Sequence, residues 1–361
     1  MGGIGSFSTR LGAIVRSPNI SSSWFTTQMA AAVSAIVDRI PLVDFMVEVR
    51  DARVPLSSGF DPIRRTSGEC RRIVILNKSD LADRAQTEKW VEHFEQSNCF
   101  CYAINSHNKD NIKKLLNCLC TRIRELGVNT SYTASFMIVG IPNVGKSSIV
   151  NAMHQIGRIS AEEKGKLKHA IVNTHPGETK DITSFKIASH PNIYLLDTPG
   201  VLPLEMSDLE LGSKLALIGA IDDCLVGEVE LARCFLSILN RGEEYKCWEK
   251  LNSMGGENSH LGKPDSQNKR RRKYPTDHTQ DFIVRDVRKR IYNSILEFEG
   301  NLENDEEMLN LIDAQLLLLH EAFRVSLENG EDGYRKVAVK LLNLYRIGRL
   351  GRYTLDNLCS G

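Results

Sequence analysis

Short apolar runs alternate with amphipathic stretches through the first half of the chain. Six runs have the length and the β-branched or aromatic content of strands: residues 42–49 (LVDFMVEV), 71–76 (RRIVIL), 99–104 (CFCYAI), 135–139 (SFMIV), 182–188 (ITSFKIA) and 192–196 (NIYLL). Polar stretches with helical patterning, such as 86–96 and 111–126, separate them. This alternation predicts an α/β layer fold, a mostly parallel sheet with helices on both faces. From Glu205 onward the pattern turns to helices. Leu309, Ile312, Leu316, Leu319 and Phe323 recur at three- and four-residue steps, and Val337, Leu341 and Leu344 do the same, so an all-α C-terminal domain is expected. Residues 252–280 are rich in Gly, Ser, Asn, Lys and Arg and poor in apolar side chains, the composition of a mobile loop or linker.

Four of the strand-like runs end in chemistry. The segment Gly140-Ile-Pro-Asn-Val-Gly145-Lys146-Ser147 fits the phosphate loop G-x-x-x-x-G-K-[ST], between a strand and a helix-like stretch, the context this motif requires. Its backbone N–H groups and the following helix N-terminus suit phosphate oxygens. Asn143, Val144, Gly145, Lys146, Ser147 and Ser148 are the expected contacts, with Lys146 reaching the β- and γ-phosphates and the Ser147 hydroxyl ligating Mg²⁺. The run 192–196 leads into Asp197-Thr-Pro-Gly200, about 50 residues further on, whose carboxylate suits Mg²⁺ and whose glycine N–H suits a γ-phosphate. Thr179 lies between the two motifs as a candidate switch threonine over the metal; a capping threonine before a strand is the other reading. The run 71–76 ends in Asn77-Lys78-Ser79-Asp80. A carboxylate at Asp80 can accept both N1–H and the 2-amino group of guanine, a pair that adenine lacks. Asn77 is expected to brace neighbouring loops and the Lys78 stem to lie over the base. Asn105 and Ser106 take the place of the loop that completes the base pocket.

These motifs occur in an unusual order, base-reading loop first, then phosphate loop, then switch. With that order the chain resembles the circularly permuted P-loop GTPases, in particular the ribosome biogenesis GTPase A (YlqF) group and its organellar relatives, the DAR GTPases of plants. Asp51-Ala52-Arg53 is the tripeptide behind that last name. The likeness spans about residues 24–215 and continues weakly through GRLGRYTLD near the C-terminus. It implies GTP hydrolysis and a role in assembling the large ribosomal subunit, with rRNA contacts; slow turnover that the ribosome stimulates is expected from Val201 after DTPG. The residue after DTPG is Val201, which cannot orient water, so another group must. The family supplies a histidine candidate from a W-F-P-G-H-M segment. Here that segment is Trp24-Phe25-Thr26-Thr27-Gln28-Met29, which makes Gln28 the candidate. Asn143 stands where related GTPases help hold K⁺; loop shaping is its alternative role. Asp51 and Arg53 follow a buried strand and could pair with neighbouring loops, and they read as structural more than catalytic.

Composition narrows the setting. The chain has 361 residues, 42% hydrophobic and 25% charged, ordinary for a globular protein, and a net charge of only +1, so nucleic-acid affinity must come from local patches. Lys269-Arg270-Arg271-Arg272-Lys273 is one such run, readable as an RNA contact, a nuclear signal or a solvated loop. The basic residues scattered over 285–352 make the C-terminal domain the better RNA candidate. No Asp or Glu precedes Asp38, and the start is rich in Ser and bears Arg10 and Arg16, the composition of an organelle transit peptide over residues 1–23. The expected location is the mitochondrial matrix, with plastid and nucleus or nucleolus as alternatives. Nine cysteines without framework spacing favour free thiols. No apolar run is long enough to span a bilayer, so any membrane association is expected to be peripheral, and a monomer is expected. The resulting organisation is a leader, a permuted GTPase domain over 24–204 and a helical domain over 205–361. Nucleotide state would reach the helical domain through the segment after Gly200. A nucleotide-dependent binding module with little hydrolysis is the alternative function.

Overall fold

Each of the six apolar runs becomes a strand of one sheet. The computed structural model describes residues 27–60, 72–125, 133–160, 182–189, 192–203, 209–249, 278–326 and 330–358. The expected leader, Trp24–Thr26, Thr179 and the basic run 269–273 lie outside the described residues. The strands are β1 (Phe45–Asp51), β2 (Arg72–Asn77), β3 (Phe100–Ala103), β4 (Thr133–Val139), β5 (Thr183–Ser189) and β6 (Asn192–Asp197). Their spatial order is β3-β2-β1-β4-β6-β5. Every neighbouring pair is parallel except β5 against β6, which is antiparallel. Parallel strands need long crossovers. These include α2 (Arg84–Gln96), α3 (Lys109–Glu125) and α4 (Lys146–Ser160); a further helix, α1 (Thr27–Arg39), precedes β1.

Burial follows the pleat. Met46, Met137 and Val139 pack with Ile36 of α1, Phe60 and Val201. Val74 and Leu76 pack with Trp90 and Phe94 of α2. The alternate positions Val47, Val49, Ile73, Ile75, Phe136 and Ile138 are buried as well, so the central strands are covered on both faces. The sequence pattern placed the first strand at residue 42. Instead Ile40–Leu42 form a 3-10 turn with Pro41 at its start, and the strand begins at Phe45. Proline presets φ for the turn and lacks the N–H that a ladder needs.

Two compact units divide the chain. Glu228–Gly351 form the helical unit, and the sheet unit runs to Gly227 and resumes at Arg352. The helices α5 (Leu209–Leu217) and α6 (Asp223–Val226) therefore group with the sheet, although the sequence pattern suggested a boundary at 204/205. The helical unit contains α7 (Glu228–Arg241), α8 (His278–Leu296), α9 (Asp305–Ala322) and α10 (Gly330–Arg346). Phe235 of α7 meets Tyr345 of α10 with ring centroids 4.5 Å apart. A buried amide pair ties α7 to α9: Asn240 Nδ2 donates to Gln315 Oε1 at 3.0 Å and Gln315 Nε2 donates back to Asn240 Oδ1 at 2.9 Å. Gln315 also donates to Ser294 Oγ of α8 at 3.1 Å, so three helices share one satisfied polar contact.

The last described residues return to the sheet unit. Tyr353 N–H donates to Leu81 O at 3.3 Å and Leu355 N–H to Arg53 O at 2.7 Å. Asp356, 3% exposed, accepts from Leu56 N and Ser57 N at 2.8 Å each and from Ser57 Oγ at 2.6 Å. The N–H groups meet Oδ2, while Oδ1, which takes the Ser57 hydroxyl, is also 3.0 Å from Lys214 Nζ of α5. One carboxylate thus joins the loop after β1 to the helix that follows the DTPG segment.

Candidate nucleotide site

Every candidate motif of the sheet unit lies at the C-terminal end of a parallel strand, where open α/β sheets bind their ligands. The phosphate loop follows β4 and opens α4; DTPG follows β6; the base-reading loop follows β2; Asn105 and Ser106 follow β3. Strand order sets β4 between β6 and β1, with β2 and β3 beyond. The phosphate end and the base end of the candidate site therefore lie side by side, although they stand far apart and inverted in sequence.

Asn77 makes the join. Fully buried at the end of β2, it donates through Nδ2 to Val144 O at 2.8 Å and accepts at Oδ1 from Ser106 N–H at 3.0 Å. One side chain thus fastens the phosphate loop to the loop after β3. Gly145 has φ +94°, and a Cβ there would stand 2.3 Å from Asn77 Nδ2, so conformation and close approach both require glycine. Ser79 N–H donates to Ile104 O at 3.1 Å. Asp80 is exposed beside it, available to a ligand. Asn105 Oδ1 accepts from His107 N–H at 2.8 Å, an Asx-type turn that shapes its loop.

Lys146 is 6% exposed and donates to Gly140 O at 3.0 Å and Ile141 O at 2.8 Å, folded back over its own loop. Burial pushes its ammonium down to about 8, partly offset by the Asp197 carboxylate. Ser147 Oγ donates to Asp197 Oδ2 at 2.9 Å. Burial raises the Asp197 carboxyl, against the pull of Lys146, Ser147 and the Thr198 N–H. Its Oδ1 is buried without a hydrogen-bond partner among the described residues. A hydroxyl, a carboxylate and an unsatisfied buried oxygen at one point suit a small hard cation such as Mg²⁺. Thr198 Oγ1 donates to Ile138 O at 2.7 Å and anchors the start of the switch to β4. A Cβ on Gly200 would lie 2.7 Å from Pro142 Cα and 3.1 Å from Lys146 Nζ, so the switch glycine packs directly on the phosphate loop.

The other sequence candidates are placed as follows. Val144 is buried, and Ser148 is half-buried in the first turn of α4. Asn143, at φ 60°, donates through Nδ2 to Gly219 O in the turn after α5. Gln28 is exposed in the first turn of α1; the next residue, Met29, packs against the cluster that contains Val201. Lys78, also at φ 60°, sends its Nζ to Asp51 Oδ2 at 3.1 Å. Sequence reasoning did not anticipate this pair or the role of Asp356. The position of Asp51 after a buried strand suggested a pairing with neighbouring loops, but not that Lys78 would be the partner.

Comparison with known proteins bears on this geometry. The family of 50S ribosome-binding GTPases matches residues 135–245, from the phosphate-loop strand past the switch. DAR GTPase 2, mitochondrial, of Arabidopsis thaliana is 51% identical over 96% of this chain and 93% of its own length. Short integuments 2, mitochondrial, from the same plant is 38% identical over 93% and 89%. Mitochondrial ribosome-associated GTPase 1 of Bos taurus is 36% identical over 60% of this chain and 65% of its own. The chain belongs to the circularly permuted P-loop GTPases of the YlqF type, and it is a GTPase. It is related to mitochondrial ribosome-associated GTPases, and membership in the family implies Mg²⁺-dependent nucleotide binding. No helix among the described residues is long and apolar enough to cross a membrane.

Proposed function

We propose that this GTPase is an assembly factor for the large subunit of a mitochondrial ribosome, working in the matrix. The observation that carries the guanine site is Asn77, which ties the phosphate loop to the two loops expected around the base. On this reading Asp80 selects guanine, the Lys78 stem covers the base, and Asn105 and Ser106 close the pocket. The phosphates rest on the N–H groups of 143–148. Lys146 leaves the carbonyls of Gly140 and Ile141 for the β- and γ-oxygens, exchanging neutral acceptors for charged ones. Ser147, Asp197 and Thr179 would hold Mg²⁺, which neutralises charge between the β- and γ-phosphates. Gly200 offers its N–H to the γ-phosphate. The Asn143 amide oxygen would take K⁺.

Val201 is 1% exposed and packed among Ile36, Met46 and Met137, so it orients no water. Intrinsic turnover is therefore slow, and Gln28 or a ribosomal group supplies the water contact. Loss of the γ-phosphate relaxes the segment after Gly200, and the helical unit responds with altered affinity for rRNA. The names of the relatives support the ribosomal and mitochondrial parts of this reading.

Two measurements test it. Asp80→Asn should exchange guanine for xanthine preference, because the amide donates where the carboxylate accepted. Purified mitochondrial large subunits should stimulate GTP turnover, with binding that weakens steeply as salt rises. Turnover unchanged by large subunits would refute the assembly role while leaving the guanine site intact.

A further inference from the structure

The tripeptide Asp51-Ala52-Arg53 lies inside the candidate site rather than beside it. Asp51 ends β1, the strand between the phosphate-loop strand and the base-loop strand, and in the β1–β2 register it stands opposite Asn77. Its carboxylate is fully buried. Arg53 N and Nε donate to Oδ1 at 3.0 Å each and Arg53 Nη2 to Oδ2 at 2.9 Å, while Lys78 Nζ stands 3.1 Å from that same Oδ2. Two cations from two loops thus converge on one carboxylate.

The loop that follows is held at many points. Ser58 Oγ donates to Val54 O and accepts from Asp51 N–H, Glu48 Oε1 accepts from Phe60 N–H at 2.8 Å, and Arg50 Nη1 donates to Pro55 O at 2.8 Å. Asp356 caps the Leu56 and Ser57 N–H groups. The carboxylate therefore sits on a fixed platform. Lys78 by contrast is a long side chain, a quarter exposed, on a residue in the left-handed region. A free lysine stem loses rotamer freedom when a ligand orders it. An anchored ammonium has lost part of that freedom before the ligand arrives.

We propose that Asp51 is a positioning residue for guanine-nucleotide binding: by holding the Lys78 ammonium at the foot of the base loop, it sets the alkyl stem of Lys78 in place as a preformed surface for one face of the base. Arg53 completes the charge balance of the buried carboxylate and keeps the anion available to Lys78. Burial alone would raise the Asp51 carboxyl, but Arg53 and Lys78 outweigh it and hold it well below the usual carboxylate range. The anchor therefore stays charged across the whole working pH range.

The inference rests on the reading of 77–80 as the base loop. The test is a double-mutant cycle on GDP and GTP-analogue affinity in the full-length protein, with Asp51→Asn, Lys78→Met and the double variant. Each single change should weaken binding about tenfold. The double variant should be about as weak as either single, because both remove one shared contact. Asp51→Asn should raise KM and leave kcat at saturating GTP within about twofold, since the stem touches ground state and transition state alike. If the two effects multiply, Asp51 acts only through the fold and the proposal is overturned. Should Asp51→Asn fail to melt cooperatively, Lys78 carries the test alone. Lys78→Arg, which keeps a cation within reach of Asp51, should recover most of the affinity lost in Lys78→Met. Parent-like affinity of Lys78→Met would overturn the proposal outright. Asp80→Asn serves as the control: if it still prefers guanine over xanthine nucleotides, the base-loop reading has failed rather than the pairing.

Discussion

At the residue scale, Lys146 gives the site a pH dependence. Its ammonium titrates at about 8 in the free protein, below the ordinary 10.5, because burial opposes the charge. Bound phosphates favour the charged form and raise that value. Affinity is thus fully present below about pH 8 and falls as pH rises through it, by up to about tenfold per unit, because binding must then take up a proton. Calorimetry of a GTP analogue near pH 8.5 should detect uptake approaching one proton; affinity that stays flat from about pH 7 to 9 would contradict this account. The tetrad 77–80 and the phosphate loop were legible in the sequence because backbone geometry restricts each to a few residue types. Asp51 was legible only as a structural residue able to pair with neighbouring loops; that Lys78 is a partner had no local sign, since it comes from another loop. Asn143 was readable as a loop residue, but its hold on Gly219, 76 positions away, had no local sign.

At the element scale, the six strands were readable because buried parallel strands leave near-continuous apolar runs, as in RRIVIL and SFMIV. The missed element is α1. Its sequence TQMAAAVSAIVDR is free of acid until Asp38 and runs on from a leader-like start, so composition hid its helical face. Ile36 is its one fully buried side chain, and it joins Val201 behind the switch. Truncation there leaves a cavity that the surrounding strands cannot close. Ile36→Ala should therefore cost about 2–5 kcal/mol in urea unfolding. It should also speed amide exchange at Gly200, Val201 and Leu202, whereas an exposed control such as Gln28→Ala should do neither. The edge of the sheet shows the opposite case. β3 is short, with Phe100 exposed under the Arg122 guanidinium, and only its alternation with α2 and α3 made it readable.

At the scale of the whole molecule, the helical unit is an insertion. The chain leaves the sheet unit at Gly227 and comes back at Arg352. The Asp356 carboxylate is the clearest link of that return, with two backbone N–H groups, a hydroxyl and Lys214 as donors. Asp356→Ala would take their acceptor from the Leu56 and Ser57 N–H groups in a largely dry site. It should destabilise the sheet unit by about 2–5 kcal/mol, and Asp356→Asn, which keeps the acceptor but not the charge, by less. Thermal melts of the two variants check the order. Nothing local in Tyr-Thr-Leu-Asp foretells this contact, because its partners lie 300 and 142 positions earlier. The return has a consequence for biogenesis. Domains tend to form as they leave the ribosome, first-made parts first. Here the loop that follows Asp51 waits for residues made after the entire helical unit, so a nascent chain stalled before position 352 would hold all of its nucleotide motifs and still lack the contacts that fasten that loop.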